Sequence, residues 1–234
     1  MTGGAAVTKA LRPRTFRRVD ELLAERYGEK RREPGDPLDT LIRTILSQNT
    51  TDRNSIPAFE RLQETFPDWR EALEAGPRAI EGPIEQAGLA PTKSRRIHEL
   101  LGQLDDERGE LSLAHVCAME PDEAWDYLAG FKGVGPKTVA IVLLFDCEMP
   151  FFPVDTHVFR VASRLGWLPD DSTPEKAHAT LRDLIPAELY FGLHLNLVQH
   201  GRECCHPSRP DCHHCPISRF CDAYKRDEVE PREE

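Results

Sequence analysis

FKGVGPKTVAIVLLFDCEMPFFPVDTHVFRVASRL, residues 131–165, sets one tight turn between helical runs. In Gly133-Val134-Gly135 both glycines can adopt positive φ and let backbone amides approach a ligand closely. Pro136 suits the first position of the helix that follows. Unpaired amides and the positive end of that helix dipole converge at the turn, which describes a site for an anion, most simply a phosphate. A helix before the turn and another after it make a helix-hairpin-helix element. Lys137 falls on the first turn of the second helix, and Asp155 follows eighteen residues later in Pro153-Val154-Asp155-Thr156-His157. A lysine at a phosphate site with a carboxylate partner is a candidate amine nucleophile. On spacing alone, a phosphate-gripping lysine and a helix-capping aspartate are an equally good reading.

Working outward, helical spacing of apolar residues recurs on both sides of this element. Phe16, Val19, Leu22, Leu23 and Tyr27 share one helical face, as do Leu38, Leu41, Ile42, Ile45 and Leu46. The second of these helices runs into the polar stretch Ser47-Gln48-Asn49-Thr50-Thr51-Asp52, which from physics alone reads as a cap and a turn. Further helices are expected near 55–65, 70–75, 92–104, 121–129, 136–146, 154–165, 174–184 and 187–200, separated by Gly and Pro signals. Residues 1–12 read as a loose terminus and Lys30–Pro37 as a loop. No strand pattern or repeat is present, so the fold class is all-α.

The 234 residues are 39% hydrophobic and 30% charged, enough to bury a real core. There is no apolar run of membrane-spanning length and no leader, which makes a cytoplasmic location the default expectation. A formal net charge of −10 weighs against a nucleic-acid partner at first sight, since duplex affinity rests on Lys and Arg meeting phosphates. The charge is segregated, however. Residues 60–85 hold seven acidic and three basic residues, whereas Arg12, Arg14, Arg17 and Arg18, and Lys93, Arg95 and Arg96, form basic clusters.

Cys205, Cys212, Cys215 and Cys221 give C-x6-C-x2-C-x5-C. Four thiols this close, in a stretch rich in Pro, His and Asp, point to a metal site rather than two disulfides. Zinc sites usually show two close C-x2-C pairs, and an iron–sulfur cluster accepts looser spacing. Cys204 is out of register and reads as a non-ligand, while Cys117 and Cys147 read as core thiols.

The run Gly133 to Ala140, followed by Val154-Asp155-Thr156-His157-Val158-Phe159-Arg160, resembles the core of the endonuclease III family of DNA glycosylases. The match extends over about residues 37–221. The resemblance implies two helical domains. A helical barrel over 31–149 carries the helix-hairpin-helix, and a discontinuous domain of 1–30 and 150–234 carries a 4Fe-4S cluster on Cys205, Cys212, Cys215 and Cys221. DNA would lie in a cleft between the domains, with Lys137 attacking the sugar and Asp155 assisting. The hairpin Gly133, Val134 and Gly135 would hold a DNA phosphate. Gln48 and Asn49 would lie against the DNA, where the family's usual Gln is here Asn49. Leu89, in Gly88-Leu89-Ala90, corresponds to an apolar wedge that enters the base stack. Between the first two cysteines, Arg209 is the basic residue left to face DNA, with Ser208 and Asp211 where basic residues are usual.

The resemblance therefore implies a bifunctional glycosylase and abasic-site lyase, a monomer acting on oxidised pyrimidines in damaged double-stranded DNA, with no membrane partner. Two alternatives stand beside it. One is a glycosylase without lyase activity, against which Lys137 counts. The other is a non-catalytic DNA-binding module whose cysteines hold zinc.

Overall fold

The computed structural model describes residues 13–33 and 35–230. Residues 1–12, expected as a loose terminus, and with them Arg12, lie outside the described residues. Those described form helices joined by turns and loops with no strand among them, so the all-α expectation holds. In chain order the helices are α1 (Pro13–Tyr27), α2 (Pro37–Ser47), α3 (Asp52–Thr65), α4 (Trp69–Ala75), α5 (Pro77–Ile84), α6 (Ala90–Arg108), α7 (Pro121–Ala129), α8 (Pro136–Phe145), α9 (Thr156–Arg164), α10 (Pro174–Leu184), α11 (Tyr190–Glu203) and α12 (Asp222–Lys225). None of them is long and apolar enough to cross a membrane. The chain divides into two compact units, Pro34–Met149 and the flanking segments Met1–Glu33 with Pro150–Glu234.

In the central unit α2 packs on α3, α6 and α8. It buries Leu38, Leu41, Ile42, Ile45 and Leu46, each worth roughly 1.5–3 kcal/mol on transfer from water. Its start is fixed by Asp36, whose carboxylate accepts from the amides of Leu38 at 2.8 Å and Asp39 at 3.1 Å, with Pro37 at the first helical position. Helix α8 buries Thr138, Val139, Ala140, Val142, Leu143 and Leu144. A helix apolar on nearly every side belongs inside a core. This fixes the hairpin that precedes α8 to an element deep in the core of the unit.

Cys117 and Cys147 are not the core thiols expected. Both are half-buried and joined in a disulfide with Cα atoms 4.6 Å apart. The bond links the 3₁₀ turn Ala114–Ala118 to the chain just beyond α8.

In the flanking unit α1 packs on α11, α11 on α9, and α9 on α10 and α12. Phe16 meets Trp167 edge-on with ring centres 4.8 Å apart, and the same unit buries Val19, Leu23, Val158, Val161, Leu193 and Leu197. Arg17, of the N-terminal basic cluster, pairs with Glu188, and Arg18 pairs with Glu21 at 2.7 Å.

Candidate nucleic-acid interface and metal centre

The hairpin between α7 and α8 is held by its apolar residues. Phe131 and Val134 are buried, and the Val134 amide donates to the Phe131 carbonyl at 3.1 Å. That amide is spent inside the turn. The amides of Gly133 and Gly135 make no hydrogen bond among the described residues, so these two are the donors the hairpin has to offer. Gly133 takes φ +83°, a conformation that favours glycine, and a Cβ there would press on the Arg96 side chain at 3.1 Å. Gly135 is instead extended, at φ −101°, and caps α8. A Cβ on it would meet nothing within 4 Å, which leaves that side open to a ligand. Lys137 is half-buried on the first turn of α8.

Two other loops of the central unit carry residues singled out from the sequence, and one of them bears on this hairpin. Gln48, at the end of α2, donates through Nε2 to the Gly133 carbonyl at 3.2 Å and accepts at Oε1 from Arg96 at 2.9 Å. Its side chain is thereby turned to the hairpin. Asn49 is exposed and left-handed at φ 54°, a conformation Asn adopts more readily than longer side chains. That is a physical reason for Asn at this place. Leu89 also stands at φ 54° and is 60% exposed, a large apolar side chain left in water. Lys93, of the Lys93, Arg95 and Arg96 basic cluster, is buried. Its ammonium donates to the carbonyls of Leu46 at 2.6 Å and Ala87 at 2.9 Å.

In the flanking unit Asp155 is the N-cap of α9, accepting from the Val158 amide at 2.7 Å. Its second carboxylate oxygen makes no hydrogen bond among the described residues.

Cys205, Cys212, Cys215 and Cys221 line one cavity together with Cys204, Arg164 and His200. Cys204, read from spacing as lying out of register, is buried there. The donor atoms of His200, Cys204 and Cys215 lie within 4.8 Å of one another, a group able to hold a metal ion. His200, which the sequence reading did not single out, faces the Cys215 sulfur at 3.7 Å and the Tyr27 hydroxyl at 3.0 Å. Arg164 donates to the Cys205 sulfur at 3.2 Å and to the carbonyls of His206 at 2.6 Å and Pro207 at 2.8 Å. Arg160 holds the Cys205 carbonyl at 2.9 Å. Burial, then the neighbouring sulfur charges, push the Cys212 thiol up to about 11. A hydrogen bond with Cys204, then burial, raises Cys215 further. Thiols crowded this way resist ionising together unless a cation joins them, which is the environment a soft metal or an iron–sulfur cluster supplies. The donor set fits such a group. Arg209 is exposed on the loop between the first two cysteines, at φ 50°.

Comparison with known proteins meets these features at several points. A family model described as HhH-GPD superfamily base excision DNA repair protein matches residues 42–187, more than half of the chain. A protein of Arabidopsis thaliana described as a candidate DNA glycosylase is 42% identical over 199 residues, covering 82% of this chain and 67% of that one. Endonuclease III of Thermotoga maritima is 33% identical over 211 residues, covering 89% and 94%. A solved structure of a trapped endonuclease III–DNA covalent intermediate superposes with a TM-score of 0.77 at 25% identity, over 93% of this chain and 99% of that one. The chain belongs to the HhH-GPD superfamily and, within it, to the endonuclease III family of DNA glycosylases.

Proposed function

We propose that this glycosylase is bifunctional, removing oxidised pyrimidines from duplex DNA and then cleaving the abasic strand, as a monomer, through Lys137 and Asp155. The observation that carries the reading is the hairpin. Two unspent amides, of Gly133 and Gly135, open toward a ligand beside Lys137 on the first turn of α8, where backbone donors and the helix dipole favour a phosphate.

The chemistry follows from a free amine placed against a sugar. The damaged base must first leave the stack, at a cost of roughly a few kcal/mol that is smaller where pairing is already weak. Leu89 and Asn49 would occupy the space it vacates. The neutral Lys137 amine forms a bond to C1′, the glycosidic bond breaks, and the base departs with that electron pair and a proton. Positive charge develops on the sugar, and the Asp155 carboxylate stabilises it electrostatically. Loss of the amine proton and opening of the ring give a protonated imine. Removal of a C2′ proton then expels the 3′ phosphate oxygen, which cuts the strand by β-elimination. The trapped covalent complex of endonuclease III with DNA supports a covalent route.

We further propose that Cys205, Cys212, Cys215 and Cys221 hold a 4Fe-4S cluster. Bound there, it would cross-link a polar segment that has little core of its own, and Arg209 on that segment would face the DNA backbone. The test is a 5′-labelled duplex carrying a single thymine glycol. Release of the base together with a strand break ending in an unsaturated sugar is the expected result. Base release with an intact abasic strand would support the monofunctional alternative instead.

A further inference from the structure

The hydrogen bonds of one face of α6 reach two separate loops directly and a third through Gln48. Lys93, on the first turn, is 1% exposed, and its ammonium joins the Leu46 carbonyl at the end of α2 to the Ala87 carbonyl at the end of the 3₁₀ turn Glu85–Ala87. Carbonyls at helix ends lack partners within the helix, and the negative end of a helix dipole favours a cation. Three residues on, so on the same face, Arg96 holds Gln48, and Gln48 holds the Gly133 carbonyl. Immediately beyond these anchored carbonyls lie the two outward tips, Asn49 and Leu89, both left-handed at φ 54°. Backbone of this kind persists where the surroundings over-determine it.

The Lys93 ammonium is satisfied by carbonyls, and the charge bearing on it is that of Arg96, of the same sign. Burial and this neighbour lower its pKa. An apolar side chain would fill the position without desolvating a charge, so what the ammonium adds is the tie between the two chain segments.

We propose that Lys93 and Arg96 are positioning residues that set Leu89, Asn49 and the hairpin in register, so that the two tips are poised to enter the base stack before a base is extruded. The inference rests on the reading of these tips as DNA contacts. Lys93 is buried and meets no phosphate in this arrangement, so its removal slows extrusion and leaves ground-state affinity and its salt dependence in place. The kcat for base release from the thymine glycol duplex is expected to fall by roughly 10- to 100-fold, with KM little changed.

The experiment uses a duplex with 2-aminopurine opposite a tetrahydrofuran abasic-site analogue, whose fluorescence rises when a side chain invades the stack. Wild-type protein at saturation should raise it, and Leu89→Ala, lacking the tip, should not. Lys93→Met, shown to be folded by circular dichroism, should bind with the wild-type salt dependence yet give a rise several-fold smaller. Should Lys93→Met not fold, Arg96→Met at its half-buried position carries the test with the same expectation for the rise. A folded variant with the wild-type rise and wild-type kcat overturns the inference alone. Wild-type protein that binds this duplex no better than an undamaged one overturns the proposed function and this inference with it.

Discussion

The Asp155 carboxylate accepts a hydrogen bond from the Val158 amide at 2.7 Å, so the residue proposed to assist the chemistry also starts α9. The two readings that spacing alone left open are therefore compatible, and substitution can separate them. Asn caps helices about as well as Asp, whereas Ala costs about 1 kcal/mol. Asp155→Asn should leave the urea unfolding midpoint near wild type, and Asp155→Ala should lower it. Both should lose base release by roughly 10²–10³-fold, the scale for removing an electrostatic stabiliser. Activity that tracks the unfolding midpoint instead would reduce Asp155 to a cap.

Asp146 provides a pH-dependent contribution to stability. Its carboxyl is pushed up to about 6, by burial first, against a hydrogen bond from the Thr40 hydroxyl and the charge of Arg43, and one of its oxygens is buried with no hydrogen-bond partner among the described residues. Because the folded value lies above the ordinary 3.8, the folded state holds the proton more tightly than the unfolded one. The contribution is fully present below about pH 4 and is lost as pH rises through about 6. Asp146→Asn should stabilise the protein at pH 7.5 by about 1 kcal/mol, after discounting for partial solvent screening, and by much less at pH 4. Urea melts at the two pH values read this directly, and an equal effect at both would contradict it.

The Cys117–Cys147 disulfide closes a sequence separation of 30 residues. Chain-entropy arguments give such a loop roughly 3–4 kcal/mol of stabilisation. Reduction, or the pair Cys117→Ala and Cys147→Ala, should lower the denaturation midpoint accordingly. Thiol titration of unreduced, unfolded protein that finds both cysteines reactive would show that the bond does not form.

For the metal centre, Cys212→Ser should yield colourless protein, whereas wild type should be brown with about four irons per chain, as a 4Fe-4S cluster requires. Cys204→Ser is the sharper comparison, because Cys204 is buried in the same cavity. With Cys205 as the ligand, colour and iron content should survive. Their loss in Cys204→Ser and retention in Cys205→Ser would exchange the two.

Much of the architecture is legible in the sequence because its signals are local. Helices α1 and α2 announce themselves by spacing, and α8 by the glycines and proline before it. Helix α5 was not, since Pro77, Gly82 and Pro83 within eight residues read as breakers, although Pro77 sits at the first position where proline is welcome. The disulfide leaves no local trace, because cysteines 30 residues apart have no spacing signature. His200 shares a helical face with Leu193 and Leu197 and so looks like another core position, and its partner Tyr27 lies 173 residues away in sequence. Lys93 was hidden by its basic neighbours. Its phase with Ile97, Leu100 and Leu104, all buried on α6, was the signal that it points inward.

The central claim is that the Lys137 amine forms the covalent bond. Borohydride reduction during reaction with a duplex containing an abasic site, followed by digestion and mass spectrometry, tests it most directly. Wild-type protein should give a trapped adduct on the peptide carrying Lys137. Lys137→Arg, which keeps the charge but with a pKa above about 12 offers no free amine, should bind the duplex and give neither adduct nor strand cleavage. A trapped adduct on the arginine variant, or a wild-type adduct mapped to Lys132 or the N-terminal amine, would contradict the account.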